Sequence, residues 1–341
     1  MRRATIPLLL SCSLSIWLSS CNSDSTRESS LPPGRPLLDV SQTAPSCGPK
    51  THPSALVIDR VETPSAFGIA VRDDGLAYFT EAYQGGVGIT STQTRTVMGF
   101  IPTGDIPTGV DFSPDGATAY VTNQYSQYVS VIDVASSQQV ATISTAPNNP
   151  LVVRVTPDGT QLFISTGSTT VYIADTRTRA ITASVEVGYA PNAFAVSPDA
   201  RIIFVSSFLG GSVSEIDIFS HAVLRTFNVG GVPQDMAVTR SGKRLYVADQ
   251  NGYLDEIDLT TGELAPPIAL GGTAFGIGVT PDDTQAYVSL VYEGLVQIFN
   301  LQSRRLAQTL QVGGNPRRIG FSQQGGIGAV ANEAGFVTFV R

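Results

Sequence analysis

Two histidines and two lysines in 341 residues deny this chain the side chains on which much catalysis and most nucleic-acid binding rest. His52 lies in a Ser/Thr/Pro-rich stretch and His221 in a turn, and no zinc-ligand spacing, Gly-x-Ser-x-Gly elbow or Cys-x-x-Cys-His haem attachment occurs. These absences argue against a haem redox subunit, a zinc enzyme and a histidine-dependent hydrolase. Lys50 and Lys243 are the only lysines, and acids outnumber bases 28 to 21, so the clustered positive charge that phosphate backbones require is missing. The longest apolar run, residues 4–18, is broken by Ser11, Ser13 and Ser15 and is too short to span a bilayer.

What the chain has in quantity is glycine, proline and apolar residues, arranged with a period. Ser113-Pro114-Asp115-Gly116 returns as Thr156-Pro157-Asp158-Gly159, Ser197-Pro198-Asp199-Ala200 and Thr280-Pro281-Asp282-Asp283. Degenerate copies stand at Arg72-Asp73-Asp74-Gly75, Thr239-Arg240-Ser241-Gly242 and Ser322-Gln323-Gln324-Gly325, giving successive gaps of 41, 43, 41, 42, 41 and 42 residues. Pro presets φ, Asp bonds the local backbone and Gly accepts positive φ, so each mark predicts a tight hairpin turn. Short alternating runs surround every mark, as in Val129-Ser130-Val131-Ile132, and no helical periodicity appears. Asp133, Asp175, Asp217 and Asp258, with Asn300 and Ser91 in the same slot, predict a second recurring turn. A period of about 42 residues with four short strands is that of a propeller blade, and seven marks predict an all-β, seven-bladed β-propeller with four-stranded antiparallel blades.

At Tyr120-Val121-Thr122-Asn123 the chain resembles the YVTN family of seven-bladed β-propeller repeat proteins, with related strings at Phe163-Ile164-Ser165-Thr166, Phe204-Val205-Ser206-Ser207, Tyr246-Val247-Ala248-Asp249 and Tyr287-Val288-Ser289-Leu290. The resemblance covers residues 55–341 and implies a fold and an extracytoplasmic setting rather than one reaction. The last unit supplies only three strands, whereas residues 55–62 read as a fourth strand ahead of the first unit. The ring is therefore expected to close by residues 55–62 completing the last blade, since an open edge invites aggregation.

Met1-Arg2-Arg3 followed by the apolar run fits a secretory signal over residues 1–20, and Leu18-Ser19-Ser20-Cys21 resembles a bacterial lipobox with Cys21 as the lipidated residue. Asn22, not Asp, follows it, which by resemblance to enterobacterial sorting favours the outer membrane. Residues 21–54 read as a disordered tether spanning about 30 Å on average. Removal of residues 1–20 leaves a net charge of −9, and Cys47 has no cysteine partner once Cys21 is acylated.

The propeller would place the loops joining second to third strands, and those joining blades, on one face of the disc. On that face the sequence puts Tyr83, Tyr125, Tyr128, Tyr253 and Tyr292 with Asn192, Gln234, Arg317 and Arg318, a mixture of aromatics, amides and guanidinium suited to binding a protein, peptide or glycan. Arg317 and Arg318 would hold an anion, or else pair with Glu333. The family's Asn slot holds Glu81, Asn123, Asp249 and Asn332, oxygen donors that would suit a divalent cation, the one cofactor the sequence leaves open. In the axial slot filled elsewhere by Ala or Gly, Asp111 and Arg154 predict a salt bridge between neighbouring blades. Three readings follow: a lipid-anchored cell-envelope binding module without catalysis, a metal-assisted lyase or lactonase using Glu81, whose surroundings Phe79-Thr80-Glu81 resemble propeller lyases of the streptogramin lyase type, and a structural surface protein.

Overall fold

The computed structural model describes residues 56–322 and 326–341; Cys21, Cys47 and His52 lie outside the described residues. Twenty-eight strands form seven antiparallel four-stranded sheets, and the described residues contain no helix. The inner strands are Ile69–Val71, Pro107–Phe112, Pro150–Val155, Pro191–Val196, Pro233–Val238, Ala274–Val279 and Pro316–Phe321, which number blades 1 to 7. Five of the seven begin with Pro, a residue that a sheet accepts at the first position of a strand because no ladder donor is needed there.

Each recurring turn forms for the reason its residues dictate. In blade 2 the Gly116 N–H donates to Ser113 O at 2.8 Å, Ser113 Oγ donates to Asp115 Oδ1 at 2.6 Å, and the Ala117 N–H donates to the same oxygen at 3.0 Å. These bonds, led by that from Ser113, hold the Asp115 carboxyl below its ordinary value. Gly116 has φ 68°, while Ala200 and Asp283 take φ 60° and 56° in the same slot of other blades. The second turn is capped as predicted: Asp133 Oδ1 accepts from Ser136 N at 2.7 Å, Asp175 Oδ1 from Thr178 N at 2.6 Å and Asn300 Oδ1 from Ser303 N at 2.8 Å.

The core is divided into seven clusters. That between blades 3 and 4 holds Phe163, Ile173, Phe194, Ile203 and Val205, with the Phe163 and Phe194 rings edge to face at 6.5 Å. The aromatic residue heading each Tyr-Val-Thr-Asn-like string is buried there: Tyr78, Tyr120, Phe163, Phe204, Tyr246 and Tyr287 all face a neighbouring blade. Blade 5 has the shortest outer strand, Ile268–Ala269, because Pro266 and Pro267 ahead of it supply no N–H.

Blade 7 has three strands from the C-terminal end of the chain, and its fourth is Val57–Glu62, paired antiparallel with Phe336–Val340. The pairing is extended by reciprocal bonds between Leu56 and Arg341, 2.9 and 3.0 Å. All five residues of Phe336–Val340 are buried. Removing residues 57–62 is expected to expose that strand's edge; the truncated protein should aggregate and lose a cooperative thermal transition, and a normal melt from monomeric material would show that the ring does not depend on this pairing.

Candidate functional site

Where the inner strands converge, a recurring hydroxyl joins one blade to the next. Thr122 Oγ1 accepts from Gly109 N at 2.8 Å and donates to Leu151 O of the following blade at 2.9 Å. Ser289 repeats this between Gly276 N and Arg317 O, at 2.7 and 2.6 Å, and Thr80 does so between Gly68 N and Thr108 O at 2.8 and 3.5 Å. Ser165 and Ser206 accept the equivalent inner-strand N–H.

Blades 5 and 7 have Ala248 and Ala331 in that position, and the inner-strand residues beside them are Asp235 and Arg318. Arg318 Nη1 reaches Asp235 Oδ1 at 2.9 Å, bridging blade 7 to blade 5, and Nη2 reaches Asn192 O of blade 4 at 3.3 Å. Asp235 is further held by Met236 N–H at 3.0 Å, and Asn192 Nδ2 donates to Gln234 O at 2.6 Å. Beside this bridge Arg317 lies over the Phe275 and Phe67 rings, 4.5 and 5.3 Å from their centroids, and pairs with Glu333. Tyr83 Oη donates to the other Glu333 oxygen at 3.4 Å. Asn192, Gln234, Phe275 and Arg317 are all buried, so these side chains cap the axial channel on this face.

The residues expected at the mouth thus fall into two sets. Asn192, Gln234, Arg317 and Arg318 belong to the cap. Tyr83, Tyr125 and Tyr292 stand outside it with 37% to 55% of their surface exposed, whereas Tyr128 and Tyr253 are half-buried and Tyr128 Oη donates to Thr103 O at 3.0 Å. The sequence reading passed over two rim residues: Tyr189, in the loop between blades 3 and 4, and Leu209, both as exposed as Tyr83. Tyr189 is marked in the sequence only by being an aromatic residue in an inter-blade loop.

In the proposed cation slot, Asn123 Oδ1 accepts from Gly104 N at 2.9 Å, and Asn332 Oδ1 accepts from Asn315 N at 2.8 Å. Asp249 Oδ1 accepts from Val232 N at 2.9 Å. Each residue ties its own blade to the preceding inter-blade loop, and a cation would have to displace those bonds. Among the described residues no three His, Cys, Asp or Glu side chains cluster in a way that could hold a metal ion. Glu81 differs. It is buried over Gly88, where an added Cβ would come within 2.7 Å of Oε1, and among the described residues nothing hydrogen-bonds Oε2. Asn123 finds Ser130 Oγ in the matching place at 2.9 Å. Burial pushes the Glu81 carboxyl from 4.5 to about 7.

On the opposite face the channel opens as a cavity of about 810 Å³, walled by the inner strands and rimmed by the first turns of blades 1 to 3. Asp111 and Arg154 meet there at 3.5 Å, the salt bridge expected from the sequence, and Asp111 Oδ2 also accepts from Val155 N at 2.9 Å.

No protein-family model matches the chain, and no curated protein sequence matches it significantly. Among solved structures, hydrazine synthase of Kuenenia stuttgartiensis is similar with a TM-score of 0.76 at 20% identity, over 82% of this chain and 96% of that one. At that identity the likeness is one of fold. Because 1890 chains of solved structures match, the fold by itself selects no function.

The buried carboxyl of Glu81 generates a pH dependence. Its folded value lies above its unfolded one, so the folded state holds the extra proton between them and stability falls as pH rises from 4.5 through about 7. Glu81→Gln should melt like the parent near about pH 4 and higher than the parent near about pH 8; a difference in melting temperature that stays constant with pH would contradict this placement of the carboxyl.

Proposed function

We propose that this chain is a lipid-anchored propeller of the bacterial cell envelope that works by binding, with its capped face turned to a protein partner. The observation that carries the reading is the partition of tyrosine. Tyr78, Tyr120, Tyr246 and Tyr287 are consumed between blades, while Tyr83, Tyr125, Tyr189 and Tyr292 project from loops of one face, interspersed with Leu209. Aromatic side chains with a polar tip bury large area at small entropic cost and are enriched in interfaces for that reason. The cap beneath them is internally bonded, so the rim stands on a rigid base, and binding would require little ordering.

The Tyr-Val-Thr-Asn-like strings support membership of the YVTN repeat family, and the run ending at Cys21 supports an acylated, exported product. The paucity of histidine and the internal bonding of Asn123, Asn332 and Asp249 weigh against the lyase or lactonase reading.

The test is affinity capture from cross-linked cells with the parent and with Tyr83, Tyr125 and Tyr292 all changed to Ala. The triple variant should melt within a few degrees of the parent, since exposed side chains contribute little to stability. A discrete envelope protein recovered with the parent and lost with the variant is the expected result, and Cys21→Ala should release the protein from the membrane fraction. Equal recovery with both, or none with either, would overturn the binding face.

A further inference from the structure

The cap and the cavity occupy opposite ends of one channel. In five of the seven blades the cavity lining begins at the fourth residue of the inner strand, represented by Phe194 and Ile319, one residue past the layer in which Arg318 reaches across to Asp235 and Asn192. The channel is consequently blind, open only on the Pro-Asp-Gly face. Its volume falls in the range of about 300 to 1,000 Å³ typical of small-molecule sites.

On the inner strands the wall is mostly apolar, as at Val71, Phe112, Val196, Met236 and Ile277, and among the described residues only Asp111 and Arg154 bring charge there, while Arg72, Asp73, Asp74 and Asp115 place charge at the rim. The two members of that pair are not presented equally: the Arg154 side chain is 42% exposed and that of Asp111 15%. Asp111 is engaged by the Val155 N–H, whereas the contacts of Arg154, to Asp111 Oδ1 and to Phe194 O, are both at 3.5 Å, and among the described residues its buried Nε has no hydrogen-bond partner. A guanidinium held this loosely keeps a donor on each terminal nitrogen for a ligand, and its planar fork matches two oxygens of one group.

We propose that this blind cavity binds an organic monocarboxylate with an apolar body, the carboxylate forked on Arg154 and the body against the inner-strand side chains. A monoanion is indicated because, among the described residues, Arg154 is the one cation on the inner strands and is already shared with Asp111; at the rim Arg72 is engaged by Asp74 and Gly116 O, and Asp73, Asp74 and Asp115 add negative charge that a dianionic phosphate would meet uncompensated. The site is separate from the tyrosine rim, and its failure would leave the binding face untouched.

The experiment is calorimetric titration of the full-length protein, held free of detergent in nanodiscs if it is lipidated, with 3-phenylpropanoate, 3-phenylpropanol and phenyl phosphate against a protein-free blank. The acid should bind one saturable site about tenfold or more tighter than the alcohol, and phenyl phosphate should bind no better than the alcohol. Arg154→Gln should bring the acid to the level of the alcohol. Asp111→Asn, which removes the competing carboxylate, should tighten the acid alone and keeps the proposal open to test if Arg154→Gln does not fold. No saturable binding, equal binding of acid and alcohol, tighter binding of phenyl phosphate, or indifference of the acid to both variants would overturn the proposal.

Discussion

The ion pair between Arg318 and Asp235 decides what kind of propeller this is. Seven blades arranged about an axis leave a channel, and a channel open at both ends is a passage for water. Arg318 reaches from blade 7 to blade 5 at 2.9 Å and on to a carbonyl of blade 4, so one bridge ties three of the seven blades across the axis. Both side chains are about nine-tenths buried, which makes each dependent on the other for compensation. With Asn192, Gln234, Phe275 and Arg317 packed around it, the bridge turns one end of the channel into a solid floor. The rim above it becomes a platform, and the space below it becomes a pocket.

The architecture was legible in the sequence because turn chemistry repeats. A Pro-Asp-Gly turn or a degenerate copy of it every 41 to 43 residues is a statement about hairpins, and seven such marks leave one arrangement that hides every edge. The completion of blade 7 by Val57–Glu62 was legible for the same reason: three strands at one end of the chain and one spare strand at the other. The pairing of Asp111 with Arg154 could be read from opposite charges in one slot of adjacent repeats, and the pairing of Arg317 with Glu333 was among the alternatives drawn from the same blade.

The cap was not legible in the same way. Arg318 meets a residue 83 positions earlier and two blades away, a distance over which no local spacing rule applies. Asn192 and Gln234 are expected from the sequence in inter-blade loops, but each is the second residue of an inner strand, and the inner ends of the blades converge on the axis and bury them against each other. A subtler signal did exist. In five repeats a hydroxyl stands beside a Gly, Ala or Val of the inner strand, and in the two repeats where Ala248 and Ala331 replace the hydroxyl, the inner strand carries Asp235 and Arg318. The exchange of a neutral staple for a charge in two blades at once marks those charges as partners. Glu81 breaks the repeat differently, placing a longer carboxyl where other blades put Asn, Thr, Ser, Asp or Leu, and among the described residues its Oε2 is left without a hydrogen-bond partner.

The most direct test of this account is a double-mutant cycle on the bridge, with stability measured by denaturant unfolding of the full-length protein. Arg318→Met and Asp235→Leu should each cost about 3–5 kcal/mol by stranding a buried charge, and the double variant should recover much of that loss. Single variants that cost under about 1 kcal/mol, or losses that simply add, would mean that the charges are solvated and that the channel has no floor.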